Sequence, residues 1–76
     1  MYNWDGGVLK TPYIRIQITN RHIHAMGIWV MHVREIDWHT RAIGVSDDAT
    51  LEEARTAAIE NVRDHLNRMM ESLDGL

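Results

Sequence analysis

The sequence predicts an α+β fold: a three-stranded antiparallel meander followed by one C-terminal amphipathic helix packed on one face of the sheet. Three observations carry this. Ile14, Ile16 and Ile18 alternate with Tyr13, Arg15, Gln17 and Thr19, the period of two that marks a half-buried strand. Two further apolar runs, around Trp29 and Trp38, follow after short connections. From Thr50 to Leu73 the apolar residues recur every three or four positions instead, which is the period of a helix.

Taken in order, the chain begins with Asn3-Trp4-Asp5-Gly6-Gly7-Val8-Leu9-Lys10. Asp-Gly-Gly is a turn signal, so residues 1–11 read either as a short extra strand or as a mobile arm. Pro12 precedes the first strand, where a missing N–H does least harm. Thr19-Asn20-Arg21-His22 reads as the next turn, since Asn tolerates left-handed backbone. The second strand is expected from about His24 to Glu35, with Met26, Ile28 and Val30 on one face and Trp29, Met31 and Val33 on the other. After a short loop at Glu35-Ile36-Asp37, Trp38 to Val45 makes the third strand. Its alternation groups Ile43 with Val45, and Trp38 with Thr40 and Ala42.

Ser46-Asp47-Asp48-Ala49 leads into the helix, and Thr50-Leu51-Glu52-Glu53 has the form of a capping box. The acidic residues around it suit the positive end of a helix dipole. Leu51, Ala54, Ala58, Val62, Leu66, Met69 and Leu73 form the stripe that is expected to be buried, and Gly75 ends the helix.

Composition bounds the function. A chain of 76 residues is expected to form one domain, residues 1–76, and a domain of that size buries only about 60% of the surface its unfolded chain exposes. Having no cysteine, it is without disulfides, iron–sulfur clusters and thiolate zinc sites, in keeping with a cytoplasmic protein. Met1 to Asp5 lacks the basic and apolar regions of a secretory leader, and no apolar run is long enough for a membrane span. The net charge of −3 is unevenly spread. Residues 1–45 hold five cations against three carboxylates, and residues 46–76 hold three against eight. That excess is thin for phosphate binding, so nucleic acid is not the expected partner, though a mildly basic sheet face is compatible with it.

No catalytic constellation stands out. His22 and His24 would project to one side of a strand and could supply two metal ligands. His32 lies too far along the strand to complete the set, so no metal or other cofactor is expected. Ser46 and Ser72 lack a nucleophile-elbow context. Asp37, His39 and Thr40 are near neighbours on a strand, where adjacent side chains point to opposite faces. Gly6-Gly7 is not followed by the helix that a phosphate loop requires. The chain reads as a non-enzyme.

The second apolar strand therefore draws attention. One helix covers one face of a small sheet, which leaves Trp29, Met31 and Val33, with Trp38 and Tyr13 nearby and Arg15 and Arg41 as a rim. Trp, Tyr, Met and Arg are the residue types enriched in interface cores. Either the N-terminal arm folds over this face with Trp4, Val8 and Leu9, or the face meets a protein partner or a second copy in a homodimer. A basic, aromatic strand face could also stack single-stranded RNA, although RNP-like aromatic spacing is missing.

The stretch Asp48-Ala49-Thr50-Leu51-Glu52-Glu53-Ala54, with Ala57, Ala58 and Leu66 after it, resembles the helix entry of HicB-type antitoxins. That resemblance implies the protein-binding half of a domain that neutralises a small RNase toxin. The family's Pro-Asp-Leu-Pro-Gly-Cys-type loop and its appended DNA-binding segment have no counterpart here. In size and charge the chain is also similar to phage anti-defence proteins of the anti-CRISPR type. The expected function is a small acidic protein-binding domain, foremost an inhibitor of a bacterial enzyme or defence complex. An antitoxin-like fragment is the alternative, and a single-stranded RNA binder comes third.

Overall fold

The computed structural model describes residues 2–23 and 26–75, and the side chains of all of these except residues 22, 23, 26 and 27. It is α+β, as the alternation and the helical stripe predict, but the sheet has five strands. They are β1 (Trp4–Asp5), β2 (Val8–Lys10), β3 (Arg15–Ile23), β4 (Met26–Val33) and β5 (Trp38–Ala42), with a 3-10 turn at Arg34–Ile36 and helix α1 at Leu51–Asp74. The strands lie in chain order and each pairs antiparallel with the next. The N-terminal segment thus neither crosses the sheet nor floats. It adds two short strands to the edge of β3.

The turn that makes this addition is Asp5-Gly6-Gly7-Val8. Gly6 sits at φ +59°, a conformation that L side chains seldom adopt. At Gly7 the requirement is closeness. Its carbonyl accepts from the Ile18 N–H at 2.8 Å, and a Cβ there would stand 2.5 Å from the Ile18 carbonyl oxygen.

β3 runs on past the expected turn. Thr19, Asn20, Arg21 and His22 all pair with β4, in a ladder that reaches from Gln17↔His32 to Ile23↔Met26. The preference of Asn20 for turns is overridden by the ladder it joins. His24 lies outside the described residues, and so does the side chain of His22, so the H-x-H pair is not placed.

Register decides which residues are inside. Leu9 pairs with Ile16 and Ile18 with Met31 across the ladders, so these four side chains point to one face. Val33 and Trp38 pair on the same face. Together with Ile43 and with Ala54, Ala58 and Val62 of α1 they form the buried cluster. Trp29, expected on the uncovered side with Met31 and Val33, packs against this cluster as well. Its indole N–H donates to the Ala49 carbonyl at 3.1 Å, tying β4 to the helix entry.

A bulge explains why the alternation of β5 misleads. Val33 pairs with Trp38, but Met31 pairs with Arg41, so two residues of β5, His39 and Thr40, stand opposite the single residue His32. Trp38 and Arg41 consequently share the helix side, and the guanidinium of Arg41 lies 4.2 Å from the centre of the Trp38 ring. Both sheet edges are thereby blunted, β1 by its length of two residues and β5 by the bulge and its charges.

α1 starts as the sequence predicts. Thr50 Oγ1 accepts from the Glu53 N–H at 3.1 Å and Glu53 Oε1 accepts from the Thr50 N–H at 3.0 Å. Arg55 donates to the Gly6 carbonyl near one edge of the sheet, and Asn61 donates to the Ile43 carbonyl at 3.1 Å near the other. The helix therefore crosses the sheet obliquely. Its expected buried stripe is buried only in the middle, at Ala54, Ala58 and Val62, while Leu51, Leu66, Met69 and Leu73 are exposed. The helix is about 36 Å long at 1.5 Å per residue, more than the sheet can cover. Gly75 caps it through the Glu71 carbonyl with φ −80°, without the left-handed turn common at such positions.

Candidate binding surface

The residues singled out for partner contact do not form one patch. Met31 and Val33 are 1% and 0% exposed, and Trp38 is buried beside them under α1. Trp29 is half-buried on that same face, and Arg41 covers Trp38 from its solvent side. Arg15 lies on the opposite face, while Tyr13 is 90% exposed in the connection from β2 to β3. The apolar run Trp29, Met31, Val33 is core because Ile18, paired with Met31, has already been claimed by the helix side.

The face left open is different in character. Alternation places Asp5 of β1, Val8 and Lys10 of β2, Arg15, Gln17, Thr19 and Arg21 of β3, and Ile28, Val30 and His32 of β4 on it. A trough of about 290 Å³ runs between Gln17, Thr19, Arg21, His32, His39 and Thr40. A second hollow of about 260 Å³ continues it past Gln17 and His32 to Arg15, Arg34 and Glu35. The pairing of β4 with β5 brings His39 to His32, with ring centres 5.7 Å apart, and His32 Nδ1 is 2.8 Å from the His39 carbonyl it donates to. His39 Nε2 is in turn 2.9 Å from Asp37. The approach of the two histidines follows from the hairpin itself, since the Val33↔Trp38 pair sets His32 opposite His39 one step further on. Among the described residues no group of three His, Asp or Glu side chains is arranged to hold a metal ion.

The cations divide by face. Arg55 is tied to a carbonyl, Arg68 to Asp64 at 3.2 Å and Arg41 to the Trp38 ring. Lys10, Arg15, Arg21, Arg34 and, on α1, Arg63 have no carboxylate within ion-pair distance among the described residues. The first four stand on the open face or at the end of its trough. The one carboxylate at that end, Glu35, accepts from the backbone N–H of Arg15. α1 carries the opposite sign, with six carboxylates against three arginines. The molecule is electrically two-sided.

The architecture is thus a five-stranded antiparallel meander with one oblique helix on one face and an uncovered, cationic second face. No family model, curated protein or solved structure matches the chain. No helix among the described residues is long and apolar enough to cross a membrane.

Proposed function

We propose that the chain is a non-catalytic protein-binding domain that docks its open sheet face on an acidic surface of another protein. The observation that carries this reading is the unpaired set Lys10, Arg15, Arg21 and Arg34, gathered on the one face that the helix leaves bare. Cations that had only to keep the protein soluble would be interspersed with carboxylates, as they are along α1. A domain that acts by occupation alone blocks or bridges its partner, and inhibition of a bacterial enzyme or defence complex is the version we favour. An antitoxin-like fragment is the alternative, supported by the Thr-Leu-Glu-Glu-Ala resemblance alone, whose Thr50 and Glu53 also form the helix cap.

The same cations would attract a phosphate backbone. Protein is preferred because the open face carries no Trp, Tyr or Phe side chain among its described residues, and its only rings, His32 and His39, are paired with each other.

The test is retention from a bacterial lysate on immobilised wild-type chain and on the double variant Arg15→Glu, Arg21→Glu. We expect an acidic protein that elutes with salt from the wild type and is missing from the variant. Equal retention by both would sink the reading, and retention of RNA in its place would transfer the face to nucleic acid.

A further inference from the structure

Where α1 leaves the sheet, its apolar stripe continues without cover. His65 still packs against the sheet, its ring centre 4.9 Å from that of Trp38. Beyond it, nine residues, about 13 Å of helix, reach Asp74. Leu66, Met69, Met70 and Leu73 fall there at positions i, i+3, i+4 and i+7, with 38%, 51%, 62% and 69% of their surface exposed. A compact chain of this length would have a radius of gyration of about 11 Å. The observed value is 13.3 Å, with a longest dimension of 46 Å against 25 and 18 Å. The helix end protrudes, and it protrudes with an apolar side.

We propose that this end of α1 pairs antiparallel with the same segment of a second copy, across a two-fold axis near Met69 and Met70. The occupant follows from charge and position. The segment from Arg63 to Asp74 holds two arginines against three carboxylates, so two copies meet without the mutual repulsion that the acidic first turns of α1 would cause. Asp64 and Arg68 neutralise each other on the outward side. Arg63 and Asp74 flank the stripe on one side, and neither has an ionic partner among the described residues. The sheet covers the stripe as far as Val62, so only the protruding turns can overlap. That restriction sets Leu66 opposite Leu73 of the second copy. Arg63 then faces Asp74 across the pair, twice by symmetry.

The overlap is smaller than a standard interface of about 800 Å² per partner, so the pair dissociates on dilution. It leaves both open sheet faces outward, and it stands independently of what those faces bind.

Sedimentation equilibrium over a concentration series tests it. Wild-type chain is expected to show a concentration-dependent dimer, and Met69→Glu to be monomeric with an unchanged far-UV spectrum. Arg63→Asp should weaken the dimer roughly threefold to tenfold, and adding Asp74→Arg should restore it. Wild-type chain that stays monomeric at its highest soluble concentration overturns the proposal. So does a dimer indifferent to Met69→Glu, and a charge swap that fails to restore overturns the antiparallel register.

Discussion

The Trp38 indole and the His65 imidazole meet with their ring centres 4.9 Å apart and their planes tilted by 54°, at the point where α1 passes off the sheet. Trp38 is 9% exposed, held between His65 and the guanidinium of Arg41. Replacing it by alanine should destabilise the fold by about 3–5 kcal/mol, since a large buried ring leaves a cavity that its neighbours fill only in part. His65→Ala removes only the ring contact, for about 1 kcal/mol. Urea titration of the two variants should rank them so; equal midpoints would mean that Trp38 is held by something other than packing.

The assignment of faces on β4 gives a sharper contrast. Met31→Asp places a charge in the buried cluster, where nothing can pair with it, and should leave the chain largely unfolded. Ile28→Asp changes the open face, at a residue already 37% exposed, and should shift stability by no more than about 0.5 kcal/mol. Far-UV circular dichroism distinguishes the outcomes at once. Helicity retained in Met31→Asp would return Trp29, Met31 and Val33 to the surface.

That contrast also marks where the sequence stops being legible. The order of the three expected strands, the helix and its cap follow from local spacing, while the two short N-terminal strands and the full length of β3 do not. Which side of β4 meets the helix does not either. Ile28 and Val30 are as apolar as Met31 and Val33, and a period of two says that faces differ without saying which is covered. The choice is made by the Ile18↔Met31 pairing, a contact between residues thirteen apart, and by the bulge opposite His32 that reverses the alternation of β5. The open face was hidden for the same reason. Lys10, Arg15, Arg21 and Arg34 are scattered in the chain and become one cationic surface only when β2, β3 and the 3-10 turn are laid side by side.

At the turn between β1 and β2, Gly7 and Gly6 should respond to alanine for different reasons. A Cβ on Gly7 would stand 2.5 Å from the Ile18 carbonyl oxygen, so β2 must move away from β3. The expected loss is about 1–3 kcal/mol. Gly6 has open space around it and a φ of +59°, so alanine there is opposed only by its own backbone, by roughly 1–2 kcal/mol. Amide hydrogen exchange separates them. Gly7→Ala should speed exchange of the Ile18 N–H, which donates to Gly7, far more than Gly6→Ala does.

The small residues at the centre of α1 decide how close the helix lies to the sheet. Ala54 and Ala58 have no exposed surface, and Val62 next along the stripe is nearly as enclosed. Helix and sheet meet here across methyl groups, which lets Arg55 reach the Gly6 carbonyl and Asn61 the Ile43 carbonyl. Ala58→Leu inserts a side chain with no space to receive it. The helix has to rise or tilt, both tethers lengthen, and the expected cost is about 1–3 kcal/mol despite the greater hydrophobicity of leucine. Leu66→Ala, one stripe position past Val62, should change the stability of the dilute monomer by about 0.5 kcal/mol or less, because that side chain is only partly covered. Thermal melts at low concentration would read both. A stabilising Ala58→Leu would mean that the gap between helix and sheet is wider than these contacts imply, and a large loss from Leu66→Ala would mean that the sheet reaches further along the helix.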